Sequence, residues 1–171
     1  MKLAKRIGWW VIGLGILALL VWWIFNQFPK GPDYSQSFTI QGRDHIAIGS
    51  SHPAYNSNPP TSGPHYAQEA TIAFYKEELP DEQLVHNLEH GNIWIAYRPG
   101  VGDEVVRQLG KFAGGNVIVT ARSKNETDIA LAAWGRLDKF NVRDNKLDTQ
   151  RIRDFILRHE NRGPENPNLP R

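Results

Sequence analysis

The sequence predicts an α+β domain, a small single unit of mixed strands and two to three helices, preceded by one transmembrane helix. Three observations support this prediction. An apolar run without any charge occupies residues 9–25. After residue 36, short strand-like and helix-like patterns follow one another without the regular alternation of a parallel α/β sheet. The 171 residues are enough for about one domain plus an appendage.

The apolar run is predicted to cross a membrane. With its flanks, residues 9–27, it reaches the length of about 20 residues that a spanning helix needs. Tryptophans stand near both ends, where such rings favour the interface. Lys2, Lys5 and Arg6 precede the run, which predicts a cytoplasmic N-terminus. The alternative is a cleaved signal peptide, but the run is longer than a usual signal core and no A-x-A-like cleavage site follows it.

These features divide the chain into five predicted segments. They are a cytoplasmic tail (1–8), the transmembrane helix (9–27), a tether (28–36), an extracytoplasmic α+β domain (37–162) and a Pro-rich C-terminal tail (163–171). Three of the 20 basic residues and none of the 18 acidic ones precede the helix, so the rest of the chain is close to neutral. This removes the main electrostatic argument for nucleic-acid binding. The chain contains no cysteine, which excludes disulfides, thiolate ligands and iron–sulfur clusters.

The first part of the domain is predicted to be mostly irregular. Residues 37–40 and 45–48 are short strand candidates. Residues 49–66 form a long loop dense in Ser, Asn, Pro and Gly. Long irregular loops in compact domains are often functional, so this loop is a candidate for carrying part of a site.

Regular elements are predicted after the loop. A short helix starts at Pro80 and Asp81 and reaches about His90, with Gly91 as its stop. The next strand, residues 92–97, is apolar on both faces and should therefore be central and buried. The remaining predicted elements are a strand over 116–121, a strand over 129–134 (with a helix as the alternative), a helix capped by Asp103 and ended by Gly114 and Gly115, and a last helix capped by Asp148.

The histidines supply the candidate site. His86 and His90 are four residues apart, so on a helix they share one face and can share a metal ion. Leu84 and Leu88 should point to the opposite side. We predict that His65, presented by the stiff end of the loop, joins this pair as a ligand. The alternative is a pair of solvated or hydrogen-bonded histidines without a metal, because such spacing also arises by chance.

The other three histidines have different expected roles. His45 lies close to the loop in sequence and is a further candidate ligand. His159 falls on the apolar stripe of the last helix and should be packed in or near the core. His52 precedes a proline in the loop and should be solvated.

The same segment contains a carboxylate at Glu89. Together with His86 and His90 it matches the pattern H-x-x-E-H, in which two histidines bind zinc and the glutamate is the general base. The interpretation we prefer is that Glu89 orients one of the imidazole ligands through a hydrogen bond. A third possibility is an ordinary exposed helix carboxylate.

Longer motifs carry a family resemblance. Residues 58–66, NPPTSGPHY, and residues 85–91, VHNLEHG, resemble the bacterial domain-of-unknown-function family 3105. Residues 133–136 and 163–165 are also similar to that family. The resemblance implies a bacterial protein that is usually membrane-anchored and extracytoplasmic, and it implies no established activity. The family's characteristic motifs coincide here with His65, His86, Glu89 and His90.

Three functions remain open on the sequence. One is a membrane-tethered domain that binds a divalent metal, Zn(II) or Cu(II), because imidazole ligation suits these ions better than Cu(I). Another is an accessory or scaffold subunit of a membrane complex, with structural histidines and a membrane-protein partner. The last is a small metallohydrolase with Glu89 as base. In each case we expect a bacterial cell-membrane protein whose domain lies in the periplasm or outside the cell.

Overall fold

The computed structural model describes residues 2–165, apart from the side chains of residues 2–9 and 11. Its helices are α1 (Lys2–Phe25), α2 (Asp81–Glu89), α3 (Asp103–Leu109) and α4 (Thr149–His159), with a short 3-10 helix (Gly110–Phe112) after α3. Its strands are β1 (Gln36–Ser37), β2 (His45–Ile46), β3 (His65–Tyr66), β4 (Phe74–Tyr75), β5 (Ile93–Tyr97), β6 (Val117–Ala121), β7 (Ile129–Ala133) and β8 (Arg136–Phe140). The predicted α+β class is confirmed.

The predicted cytoplasmic tail and transmembrane segment correspond largely to α1. Among the residues whose side chains are described, no helix is long and apolar enough to cross a membrane. The predicted transmembrane segment, 9–27, and the cytoplasmic tail, 1–8, extend beyond the described side chains. Most of the predicted C-terminal tail, 163–171, also lies outside the described residues.

A six-stranded sheet forms the centre of the domain, in the order β1-β8-β7-β5-β6-β4. The pairs on one side of β5 are antiparallel, and β5, β6 and β4 are parallel. The helix α3 makes the crossover between β5 and β6 that parallel neighbours require. Every residue of β5 is buried, with Trp94 1% and Ile95 0% exposed. The predicted central strand is therefore confirmed.

The two faces of the sheet bury different layers. On one face Ile93, Ile95 and Leu131 pack with apolar residues of α3 and α4. On the other face small residues such as Ala96 leave room for α2, whose Leu84 and Leu88 are fully buried against the sheet. This second face carries the candidate site, because α2 presents its remaining side chains away from the sheet.

Several predicted boundaries are confirmed and some are corrected. The helix α2 begins after Pro80 and ends before Gly91, whose positive φ of 87° suits a helix terminus. Asp148 caps α4 by accepting a hydrogen bond from the Arg151 N–H at 3.0 Å. The predicted cap at Asp103 is wrong, because Gly102 holds that position and Asp103 lies in the first turn.

The sequence prediction missed three strands. The strand β8 forms a hairpin with β7 across Trp134 and Gly135, with Gly135 at a φ of 66°. Its sequence, RLDKF, has three charged residues in five, which hid it from a hydropathy pattern. The strands β3 and β4 have only two residues each, and so short a run leaves no period to detect.

Candidate functional site

Three histidine rings meet where the loop crosses α2. The strands β2 and β3 pair in parallel with His45 opposite His65, so both rings leave a small two-stranded sheet at one point. The ring of His86, from α2, lies 5.1 Å from each of the other two rings, measured between centroids. One ligand atom from each of His45, His65, His86 and Glu89 lies within 4.8 Å of the others. We call these four residues the inner group.

Backbone carbonyls fix the orientation of two of these rings. Nδ1 of His65 lies 2.8 Å from the carbonyl oxygen of Gly63, and Nδ1 of His86 lies 2.8 Å from that of Tyr66. A carbonyl only accepts, so each Nδ1 must carry a proton and donate it. In the neutral ring Nε2 then keeps its lone pair, which is the form in which imidazole binds a metal.

Burial favours the neutral form of His86. The side chain is buried, and this desolvation lowers the pKa of its imidazole. The hydrogen bond to Tyr66 raises the pKa, but the neighbouring His90, His65 and His45 rings lower it further. The net direction is downward, so the Nε2 lone pair of His86 is available at neutral pH.

Glu89 faces into the inner group and is almost fully buried. Its side chain is 1% exposed, and Oε2 lies 2.9 Å from Nε2 of His65. Although they are close, these two atoms do not have hydrogen-bond geometry. Within the described part of the chain, no hydrogen bond reaches either carboxylate oxygen of Glu89 or Nε2 of His65. Nε of the half-exposed Arg43 lies 3.7 Å from Oε1, within ion-pair distance.

This placement changes the expected role of Glu89. A carboxylate that orients a metal-binding imidazole bonds the ring nitrogen that points away from the metal. In His65 and His86 that nitrogen is Nδ1, which already donates to the carbonyls of Gly63 and Tyr66. Glu89 instead lies beside the free nitrogen of His65, where it can share an ion with that nitrogen. The third possibility from sequence, an exposed carboxylate, is wrong.

His90 belongs to a neighbouring set. Its Nε2 lies 2.9 Å from Nε2 of His86 and 3.7 Å from a carboxylate oxygen of Glu69. Glu69, His86 and His90 form a second set of ligand atoms within 4.8 Å of one another, which we call the surface group. The predicted histidines are thus all close, but His65 and His90 fall into different groups joined by His86. Glu69 stands in a loop without any motif, so sequence reasoning missed it.

The other two histidines lie outside both groups. Nε2 of His52 is 3.1 Å from Oε1 of Glu82, and its side chain is only 14% exposed, so the prediction of a solvated ring is wrong. The hydrogen bond with Glu82 raises the pKa of His52. His159 is buried and its ring packs against Phe155 at 4.7 Å, which confirms its predicted place in the core.

The C-terminal segment packs against the C-terminal end of α2, next to the site. The backbone N–H of Glu165 donates to the carbonyl of Glu89 at 3.0 Å, and that of Asn161 donates to the carbonyl of Gly91 at 2.8 Å. Gly163 packs so closely that a Cβ there would lie 2.1 Å from the Glu89 carbonyl oxygen. The short motif at residues 163–165 therefore fixes the end of the helix that carries Glu89 and His90.

Comparison with known proteins identifies a family. The family model described as a protein of unknown function (DUF3105) matches residues 49–170. The match includes every residue of both groups except His45. No curated protein and no solved structure matches the chain.

Proposed function

The chain belongs to the DUF3105 family of unknown function, and we propose that it binds one divalent metal ion, Zn²⁺ or Cu²⁺, in its inner group. The observation that carries the proposal is the buried, unbonded set of Oε1 and Oε2 of Glu89 and Nε2 of His65. A buried carboxylate without hydrogen bonds costs several kcal/mol, and two facing acceptors add repulsion. A cation between them would offset both costs.

The donor set fits such an ion. Three imidazole nitrogens and one carboxylate oxygen match the ligand types and the number that zinc takes in a tetrahedral site. Ligand atoms about 2.0–2.1 Å from a zinc ion lie about 3.3 Å from one another, somewhat closer than the 4.8 Å limit within which these atoms now lie. His45 is exposed on a two-residue strand and can make the adjustment. Cu²⁺ also accepts imidazole and carboxylate ligands, whereas the absence of cysteine disfavours Cu⁺.

Binding is better supported than hydrolysis. Four protein ligands would fill a tetrahedral shell, whereas a catalytic zinc keeps one position for water. Glu89 would be bound to the ion and could not act as a general base at the same time. Four surface cavities, with volumes of about 330–800 Å³, are lined by residues outside the inner group.

The domain is further proposed to lie outside the cytoplasm of a bacterium, held at the cell membrane by residues 9–27. The support is the uncharged apolar run with basic residues before it. A tethered domain with one metal site would buffer, deliver or sense the ion at the membrane surface.

Metal titration of the full chain tests the proposal. The chain is stripped with chelator, dialysed against Zn²⁺ or Cu²⁺, and analysed for bound metal. We expect one ion per wild-type chain and loss of binding in His65→Ala and His86→Ala. His52→Ala is the matched control, because His52 lies outside both groups, and it should bind as wild type. A wild-type chain that binds no ion, or a control that loses binding equally, would refute the proposal.

A further inference from the structure

The surface group raises the question of how an ion would reach the inner group. Nε2 of His86 and Nε2 of His90 face each other at 2.9 Å, and a carboxylate oxygen of Glu69 lies 3.7 Å from the latter. Nε2 of His90 can donate a hydrogen bond to Nε2 of His86, or both can bind an ion beside them. Two imidazoles and one carboxylate are one of the known ligand sets of open zinc sites, in which water takes the fourth position.

His86 can serve only one of the two groups at a time. Its Nδ1 donates to the carbonyl of Tyr66, so Nε2 is its only free ligand atom. One nitrogen lone pair binds one ion. The two groups are therefore alternative positions for a single ion, and the chain should hold one ion rather than two.

Apart from the exposed His45 and the shared His86, the residues of the inner group are far more buried than those of the surface group. The side chains of Glu69 and His90 are 56% and 31% exposed, whereas those of Glu89 and His65 are 1% and 0% exposed. A hydrated ion can exchange its waters for ligands on the surface far more easily than in a buried position. The carboxylate of Glu69 would also raise the local concentration of cations.

We infer that Glu69, His90 and His86 form an entry site, from which His86 passes the ion to the inner group. The inference rests on the proposed function, because an entry site needs a final site. The ion first binds to Glu69, His90 and His86 with water at an open position. His86 keeps its bond while Glu89, His65 and His45 replace the two surface ligands and the bound water, which returns to the solvent.

The inference makes a kinetic prediction. A residue that contacts the ion only during its passage to and from the final site accelerates both loading and release. It leaves the equilibrium affinity of the final site unchanged. Glu69→Gln and His90→Ala should therefore slow both Zn²⁺ loading and Zn²⁺ transfer to a chelator by about tenfold, while the dissociation constant stays within about twofold of wild type. Both residues are on the surface, so the fold should be retained in each variant.

Stopped-flow mixing of the full chain with Zn²⁺ alone, and with a coloured chelator for release, measures these rates. Glu77→Gln, an exposed carboxylate outside both groups, and His52→Ala are the matched controls and should load at the wild-type rate. Wild-type rates in Glu69→Gln and His90→Ala would overturn the inference and indicate entry beside His45, with the proposed function intact. Affinity losses as large as that of His65→Ala would also overturn it, because both residues would then belong to the final site. A wild-type chain without Zn²⁺ binding would refute the proposed function itself.

Discussion

Replacing Glu89 by Gln separates a metal site from a structural ion pair. The substitution keeps the size of a side chain that is 1% exposed and removes its charge. If the inner group is a metal site, the metal-free chain contains two unbonded acceptors; Gln removes the buried charge, and its amide can turn to donate to Nε2 of His65. If instead His65 is protonated and paired with Glu89, the same change leaves a buried cation without its partner.

The two cases predict opposite changes in the Tm of the metal-free chain. A new hydrogen bond between previously unbonded groups stabilises by about 1 kcal/mol or more, which raises Tm by about 2–4 °C. Breaking a buried ion pair costs about 3–5 kcal/mol, which lowers Tm by about 6–20 °C. We expect the rise.

The zinc-bound chain should respond in the opposite direction. Zinc at about 1,000 times the dissociation constant stabilises the wild type by about 4.1 kcal/mol. Losing a charged ligand should weaken binding by at least about 100-fold, beyond the effect of groups that only orient ligands, which leaves at most about 1.4 kcal/mol of stabilisation by zinc. The Tm increase on adding zinc should fall from about 8–16 °C to about 3–6 °C.

Thermal unfolding of both chains, with chelator and with zinc, measures all four values. Glu77→Gln removes an exposed carboxylate and should change none of them by more than about 2 °C. The reasoning is refuted if Glu89→Gln lowers the Tm of the metal-free chain by several degrees while zinc changes neither protein. The scaffold function with structural histidines would then be preferred.

Three further predictions concern the support of the site and its location. Gly163→Ala places a Cβ 2.1 Å from the last carbonyl oxygen of α2, so Tm should fall by about 4 °C or more and zinc affinity should drop. In the control Gly110→Ala the new Cβ is 3.7 Å from its nearest neighbour, so Tm and zinc affinity should stay as in wild type. Asp154 accepts two backbone N–H groups of the tether at 2.9 and 2.6 Å; burial raises its pKa, but these bonds and others lower it overall. Its stabilisation is therefore complete above the ordinary pKa of 3.8 and is lost as pH falls below that value through the lowered folded-state pKa. Asp154→Asn should have a lower Tm than wild type at neutral pH, and the difference should shrink as pH falls below 3.8. A reporter fused to the C-terminus should be active only in its extracytoplasmic form, and activity of a cytoplasmic reporter would contradict the proposed topology.

The elements that the sequence predicted well are those with strong local signals. The helix α2 has Pro80 and acidic residues at its start and Gly91 at its end, and β5 is apolar throughout. The strand β8 could not be found in this way. It pairs with β7 on one side and β1 on the other, and the buried Asp138 is neutralised by Arg151 from α4, a contact that only the tertiary structure provides.

The sequence predicted most residues of the site, but not how they divide into the inner group and the surface group. The spacing of His86 and His90 places them on one face of a helix, but it does not say what covers that face. In the structure α2 is covered on both sides, by the sheet and by the loop, so all residues from Leu84 to Glu89 are buried. Glu89 therefore turns inward beside His65, while His90, at the end of the helix, is left at the surface. Neither placement follows from helical geometry alone.

The irregular path of the loop explains why the site can form there. In a regular strand, backbone carbonyls are used by the neighbouring strand. Here the carbonyls of Gly63 and Tyr66 turn toward two imidazoles instead. This path needs a φ of 116° at Gly63, which glycine adopts readily, and it is held by the hydroxyl of Tyr55, which donates to the carbonyl of Pro64 at 2.6 Å. The glycine and proline content of the loop thus sets the direction of two ring nitrogens, and the loop motif and the helix motif become parts of one site.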